Sequence, residues 1–197
     1  EESPWPMYGH DPQHTVFSPF LGPSSTKSFF SYKLPSVTGA PSFSAVESPV
    51  VDGDVIYYSD AGGAALYAID KGGNEIWQLG IGPFPSSPSI GPDGTIYLGT
   101  DFYKFYAIDK SGRIKWVLQT VNNVIPYAVP PYSTAVFDNN GNIIVAQASI
   151  GASSKIHSIN PSKYINWSFD LPSDEHIYHM PAVDKSFNNI YFVSIKS

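Results

Sequence analysis

The chain has no cysteine and two methionines among its 197 residues. Disulfides and thiolate metal sites are therefore excluded, although lack of cysteine alone does not select a compartment. Charge is scarce and acidic, with 11 Lys/Arg against 17 Asp/Glu and a formal net charge of −6. No Lys/Arg cluster supplies the basic stripe that a nucleic-acid partner would require. No apolar run is long enough to span a membrane. No amphipathic helical period of useful length appears. A G-x-S-x-G elbow, a P-loop and a dinucleotide fingerprint are all missing, which removes the commonest motif-borne chemistries. The sequence begins at Glu1 rather than Met, and it contains no signal-peptide pattern. A processed N-terminus or a trimmed fragment is the expectation.

What the chain does have is repetition. Leu66-Tyr67-Ala68-Ile69-Asp70-Lys71-Gly72-Gly73-Asn74-Glu75-Ile76-Trp77 returns as Phe105-Tyr106-Ala107-Ile108-Asp109-Lys110-Ser111-Gly112-Arg113-Ile114-Lys115-Trp116. It returns again as Ile156-His157-Ser158-Ile159-Asn160-Pro161-Ser162-Lys163-Tyr164-Ile165-Asn166-Trp167. Nine positions separate Ala68 from Trp77, Ala107 from Trp116 and Ser158 from Trp167. An apolar strand, a polar turn and a second strand make each copy a hairpin. A preceding pair also recurs: Ser48–Tyr58, Ser87–Leu98 and Ser133–Val145, with a fourth version over 180–192. Each unit thus reads as four short strands at a period of 39 to 51 residues, the spacing of β-propeller blades.

The B strands carry Ile56, Ile96, Ile143 and Ile190 in one phase, and Tyr57, Tyr97, Ile144 and Tyr191 in the other. Both faces are apolar, as a sheet sandwiched between two others requires. The predicted fold is all-β, a β-propeller of four-stranded antiparallel blades. The predicted division is a lead-in segment with an orphan outer strand over 1–47, blades over 48–86, 87–132 and 133–179, and two strands of a further blade over 180–197. Three complete blades fall short of the roughly four to eight that close a ring. A second polypeptide, or the remainder of a cleaved precursor, is expected to complete it, pairing with Ile190–Ser194 and Phe29–Leu34.

Trp5-Pro6-Met7-Tyr8-Gly9-His10-Asp11-Pro12-Gln13-His14-Thr15, followed by Ser18-Pro19, resembles the opening of PQQ-type, quinoprotein-like β-propeller repeat proteins. The Tyr-Ala-Ile-Asp…Trp hairpins resemble that family's tryptophan-docking motif. The resemblance implies seven or eight blades in the full ring. It implies a structural docking role for Ala68, Trp77, Ala107, Trp116, Ser158 and Trp167, with each Trp buried against a neighbouring blade. The quinone-dependent dehydrogenases space the Ala and Trp one residue further apart, with Thr-Gly in the turn. Gly72-Gly73, Ser111-Gly112 and Ser162-Lys163 fill a shorter turn, which resembles the non-catalytic branches.

A propeller gathers its D-to-A and B-to-C loops on one face, and loops carry function. That face collects Phe84, Phe102, Tyr103, Tyr127, Tyr132, His176, Tyr178 and His179 as candidate ligand-binding residues. The plainer reading is that these aromatics cover the channel mouth. His176-x-x-His179 has workable zinc spacing but no evident third ligand, so polar loop side chains are the simpler account. His10 and His14 flank Pro12, which blocks the helix that i,i+4 ligation needs, so a structural role is expected. Asp138–Asn142 has calcium-loop composition without the closing Glu, and its parallels at Asp52-Gly53 and Asp93-Gly94 read as hairpin turns. Asp60 and Asp101 fall at equivalent places, where repetition explains them better than an acid/base pair does.

The expected function is a non-catalytic, extracytoplasmic module (extracellular, cell-surface or periplasmic) that binds or scaffolds a protein or glycan, without a cofactor. The first alternative is a fragment of a quinoprotein dehydrogenase holding pyrroloquinoline quinone and Ca²⁺. The second is a structural subunit of a surface assembly.

Overall fold

The structure is a computed structural model that describes residues 6–7, 9–13, 31–32, 48–60, 63–82, 86–100, 104–119, 134–147, 154–177, 179–184, 186 and 189–196. The first sheet holds β1 (Val50–Asp52), β2 (Val55–Asp60), β3 (Ala65–Asp70) and β4 (Glu75–Gly80). The second holds β5 (Ser89–Ile90), β6 (Ile96–Thr100), β7 (Lys104–Ile108) and β8 (Ile114–Gln119). The third holds β9 (Val136–Phe137), β10 (Ile143–Gln147), β11 (Lys155–Ile159) and β12 (Ile165–Asp170). Each sheet is antiparallel, with its strands in chain order. Four short strands follow: β13 (Glu175–Ile177), β14 (Ala182–Val183), β15 (Ile190–Tyr191) and β16 (Ser194–Lys196).

Side chains alternate across the strands, so each sheet buries two different apolar sets. Leu66, Ala68, Trp77 and Leu79 of the first sheet share a core with Ile96, Leu98, Tyr106 and Ile108 of the second. Tyr97, Phe105, Ala107 and Trp116 of the second share the next core with Phe137, Ile143, Val145 and Ile159 of the third. That core continues through Ile144, Ala146 and Ile156 to Val183 and Ile190. The first strands of neighbouring sheets lie close together, β1 to β5 and β9 to β14. Ser89 Oγ donates to the Ala135 carbonyl at 2.8 Å across one such junction. The sheets are consecutive β-propeller blades, and among the described residues the series does not close.

The repeat is also a repeat of register. Tyr57, Ala68 and Trp77 stand in one row across the first blade. Tyr97, Ala107 and Trp116 form the same row in the second, and Ile144, Ser158 and Trp167 in the third. The ladder shifts directly after the small residue each time, between Ala68 and Ile69, Ala107 and Ile108, and Ser158 and Ile159. Such a bulge adds local twist and re-aims the side chains beside it.

The lead-in segment is built into the blades. The Ile90 amide donates to the Pro6 carbonyl at 2.7 Å, and the Val183 amide to the Pro12 carbonyl at 2.9 Å. Residues 6–12 therefore bridge the inner strands of the second and fourth blades, with Met7 buried in the shared core. His10 has a positive φ of 77°. Its amide donates to the Met7 carbonyl at 3.0 Å, closing a tight turn. His14 lies outside the described residues. Of the expected orphan strand over Phe29–Leu34, only Ser31 and Tyr32 are described, and neither is in a strand. Tyr32 packs on Tyr58 and Tyr67 of the first blade, and its hydroxyl donates to the Glu75 carboxylate at 2.6 Å.

One element departs from the expectation of a plain loop between Asp170 and Met180. Glu175–Ile177 forms β13 and pairs with β16, as β14 pairs with β15. The two ladders are separate two-stranded sheets that share the segment 190–196. The continuous run Ile190–Lys196 supplies enough backbone donors and acceptors to hold both pieces along one edge.

Candidate functional site

The two ends of the blades differ in chemistry. At one end every described C–D turn is closed by its own first side chain. Asp70 Oδ1 accepts the Gly72 and Asn74 amides at 2.8 and 2.9 Å. Asp109 Oδ1 accepts those of Ser111 and Arg113, at 2.9 and 3.1 Å. Asn160 Oδ1 accepts those of Ser162 and Tyr164, both at 3.0 Å. The Ser111 hydroxyl, then the Arg113 amide, holds the Asp109 carboxyl down to about 2. The A–B turns of the second and third blades follow the same plan, with Asp93 binding Thr95 and Asp138 binding Asn140 and Asn142. Asp138 commits both oxygens to its own turn, so Asp138–Asn142 is a hairpin turn. Among the described residues no three His, Asp or Glu converge as a metal site.

The other end carries the long connections. Phe84, Phe102, Tyr103, Tyr127, Tyr132 and Tyr178 lie outside the described residues, as does Asp101. His176 sits on β13 opposite Ile195, and His179 is exposed beyond the strand. Asp60 is buried where β2 enters its loop and accepts the Gly63 amide at 2.7 Å.

Between blades, Trp77 and Trp116 make equivalent contacts. The Trp77 indole N–H donates to the Lys110 carbonyl at 3.0 Å, and that of Trp116 to the Pro161 carbonyl at 2.9 Å. Both acceptors are the second residue of the next blade's C–D turn. Tyr57 and Tyr97 pack on these indoles, each at 5.8 Å between ring centroids. Burial pushes both phenols up to about 12, so they are neutral at ordinary pH. A Cβ at Gly112 would stand 2.8 Å from Trp77 Cδ2.

The expectation that all three tryptophans are buried is corrected: Trp77 and Trp116 are half-buried against the next blade, and Trp167 is more open still. It remains 42% exposed, and Phe169 beside it is 51% exposed. It holds the same register as the others, and among the described residues no C–D hairpin covers it. Trp167, Phe169, Ile156, Ile190 and Phe192 line an apolar groove of about 330 Å³.

A buried polar cluster was not anticipated from sequence. His157 takes the place held by Tyr67 and Tyr106 in the other blades. Its Nε2 lies 2.9 Å from Gln147 Oε1 and its Nδ1 2.8 Å from Ser168 Oγ. A neutral ring satisfies both, donating from Nε2 and accepting at Nδ1. Burial, then the nearby Lys155 charge, lowers its pKa to about 4, against the opposing pull of Asp170. The only sequence signal was a histidine at an otherwise tyrosine position.

No protein-family profile matches the chain, and no curated protein matches it. Among solved structures it is similar to BamB from Moraxella catarrhalis, at 15% identity and a TM-score of 0.47, over 75% of this chain and 42% of that one. It is also similar to a protein of unknown function from Bacteroides caccae, at 12% identity and a TM-score of 0.47, over 73% of this chain and 57% of that one. The chain thus spans about half the length of these structures.

Proposed function

We propose that the chain is a non-catalytic, extracytoplasmic β-propeller module that binds or scaffolds a protein or glycan, with its ring completed by another polypeptide. The difference between its two ends carries this reading. The turn end spends its carboxylates and amides on closing its own hairpins, which leaves a compact, self-satisfied surface. In the sequence, Tyr103, Tyr127 and Tyr178 fall in the long connections between strands, opposite these turns. Aromatic side chains supply large, rigid contact area at low entropic cost.

Alanine at Tyr103, Tyr127 or Tyr178 should weaken capture of a glycan-array or cross-linked protein ligand while leaving the melting temperature nearly unchanged. Equal loss of both would show that these rings are core and would sink the loop-face reading. Saturable uptake of pyrroloquinoline quinone with Ca²⁺, followed by absorbance, would overturn the non-catalytic part.

A further inference from the structure

Asn166-Trp167-Ser168 is the one Asn-x-Ser/Thr tripeptide in the chain whose middle residue is not proline. Oligosaccharide transfer to asparagine requires the Ser or Thr two residues on, and proline between them blocks it. Asn160-Pro161-Ser162, in the preceding turn, is silenced in that way.

The fold leaves room for a sugar at Asn166. The residue is exposed on β12, the outer strand of the third blade. β4, β8 and β12 each pair on one side only, so the outer rim of every blade is open. The residue before the tryptophan is exposed in the other two blades as well: Ile76 is 51% exposed and the Lys115 side chain 39%. Both keep that exposure with the next blade's turn seated on the adjoining tryptophan, through the Lys110 and Pro161 carbonyls. The position is therefore open by its place in the blade, whatever packs on Trp167. The Asn166 side-chain amide donates to Asn142 Oδ1 at 3.1 Å and to Ser158 Oγ at 3.3 Å. An amide nitrogen carries two N–H donors, so one still serves Asn142 when carbon replaces the other hydrogen.

We infer that Asn166 is an N-glycosylation site, the acceptor for an oligosaccharide carried on a lipid-linked diphosphate. This rests on the extracytoplasmic reading, because that transfer takes place outside the cytosol. The bond from Nδ2 to the sugar C1 forms, the C1–O bond to the lipid diphosphate breaks, and Nδ2 gives up one proton. The acceptor is modified as extended chain, before β12 pairs with β11. Asn166 lies near the C–D turn, so the glycan covers the rim at the turn end and leaves the loop end clear for the ligand.

The full chain, translated behind a secretory signal with endoplasmic-reticulum microsomes, should gain one glycan. Peptide N-glycosidase should remove it and convert the acceptor asparagine to aspartate, located by peptide mass mapping. N166Q should abolish the gain, whereas S168T, which keeps the hydroxyl, should retain it. A translocated, protease-protected chain without sugar would overturn the inference, as would a glycan that persists in N166Q. Fractionation of native cells with the same mapping separates the two failures. Bare Asn166 on a chain outside the cytosol removes the glycan alone, whereas bare Asn166 on a cytosolic chain removes the extracytoplasmic reading too.

Discussion

Lys163 occupies the position that glycine holds in the other two C–D turns. Its φ is +82°, the same as Gly73 and Gly112. A side chain in that region costs roughly 1–2 kcal/mol, partly offset by the greater chain entropy glycine would lose. Lys163→Gly should therefore stabilise the protein by about 0.5–1 kcal/mol, read as a higher denaturant midpoint at unchanged slope. The reverse change at Gly112 has a second penalty, because the new methyl meets the Trp77 ring at 2.8 Å. Gly112→Ala should destabilise by about 2 kcal/mol or more, and pairing it with Trp77→Ala should recover part of that loss. His157 makes a pH prediction at the same scale. The fold favours the neutral ring, whereas the unfolded chain takes a proton near pH 6.5. Stability should fall as pH drops from about 6.5 towards about 4, and this contribution should level off below that. The loss should approach about 3 kcal/mol, and a His157→Gln variant should show a shallower slope across that window in urea titrations.

At the scale of elements, the hairpin is the unit that both seals a blade and covers its predecessor. β7–β8 closes the second blade and places the Lys110 carbonyl on Trp77. Lys110 also pairs with Asp52 in the first blade, so one turn contributes a dipole and a charge to the same junction. Trp116→Ala empties a site bounded by Tyr97, Phe105 and the Pro161 carbonyl. It should cost about 3 kcal/mol, whereas Trp167→Ala in the chain alone should cost less than about 1 kcal/mol. Equal costs by chemical denaturation would mean that Trp167 is already covered.

For the whole molecule, the exposed apolar residues of the third and fourth blades dominate behaviour in isolation. Tyr164, Trp167, Phe169, Tyr191, Val193 and Ile195 are all exposed and apolar or aromatic. Exposed apolar surface of this kind, beside a strand edge, drives association. The chain alone should self-associate with rising concentration by light scattering. A Trp167→Lys, Phe169→Lys double variant should remain monodisperse. A monodisperse unmodified chain without any second polypeptide would oppose both the association and the shared ring.

The sequence by itself determined the blades, because what makes them is local. Period-two apolar strands and an Asp or Asn opening a turn act within twelve residues and appear in all three copies, with glycine at the left-handed turn position in two of them. The register row from Tyr57 to Trp77 follows from the fixed nine-residue spacing and the turn between. Only the tertiary structure decided that Pro6 and Pro12 hold the second and fourth blades, since such carbonyl contacts carry no side-chain signature. It also decided that β13 pairs with β16, because a short polar run becomes a strand only when an edge is available. Trp167 shows the same division most plainly. Its motif matches Trp77 and Trp116, but burial depends on what packs above an indole, and that is set by the next blade rather than by the residue.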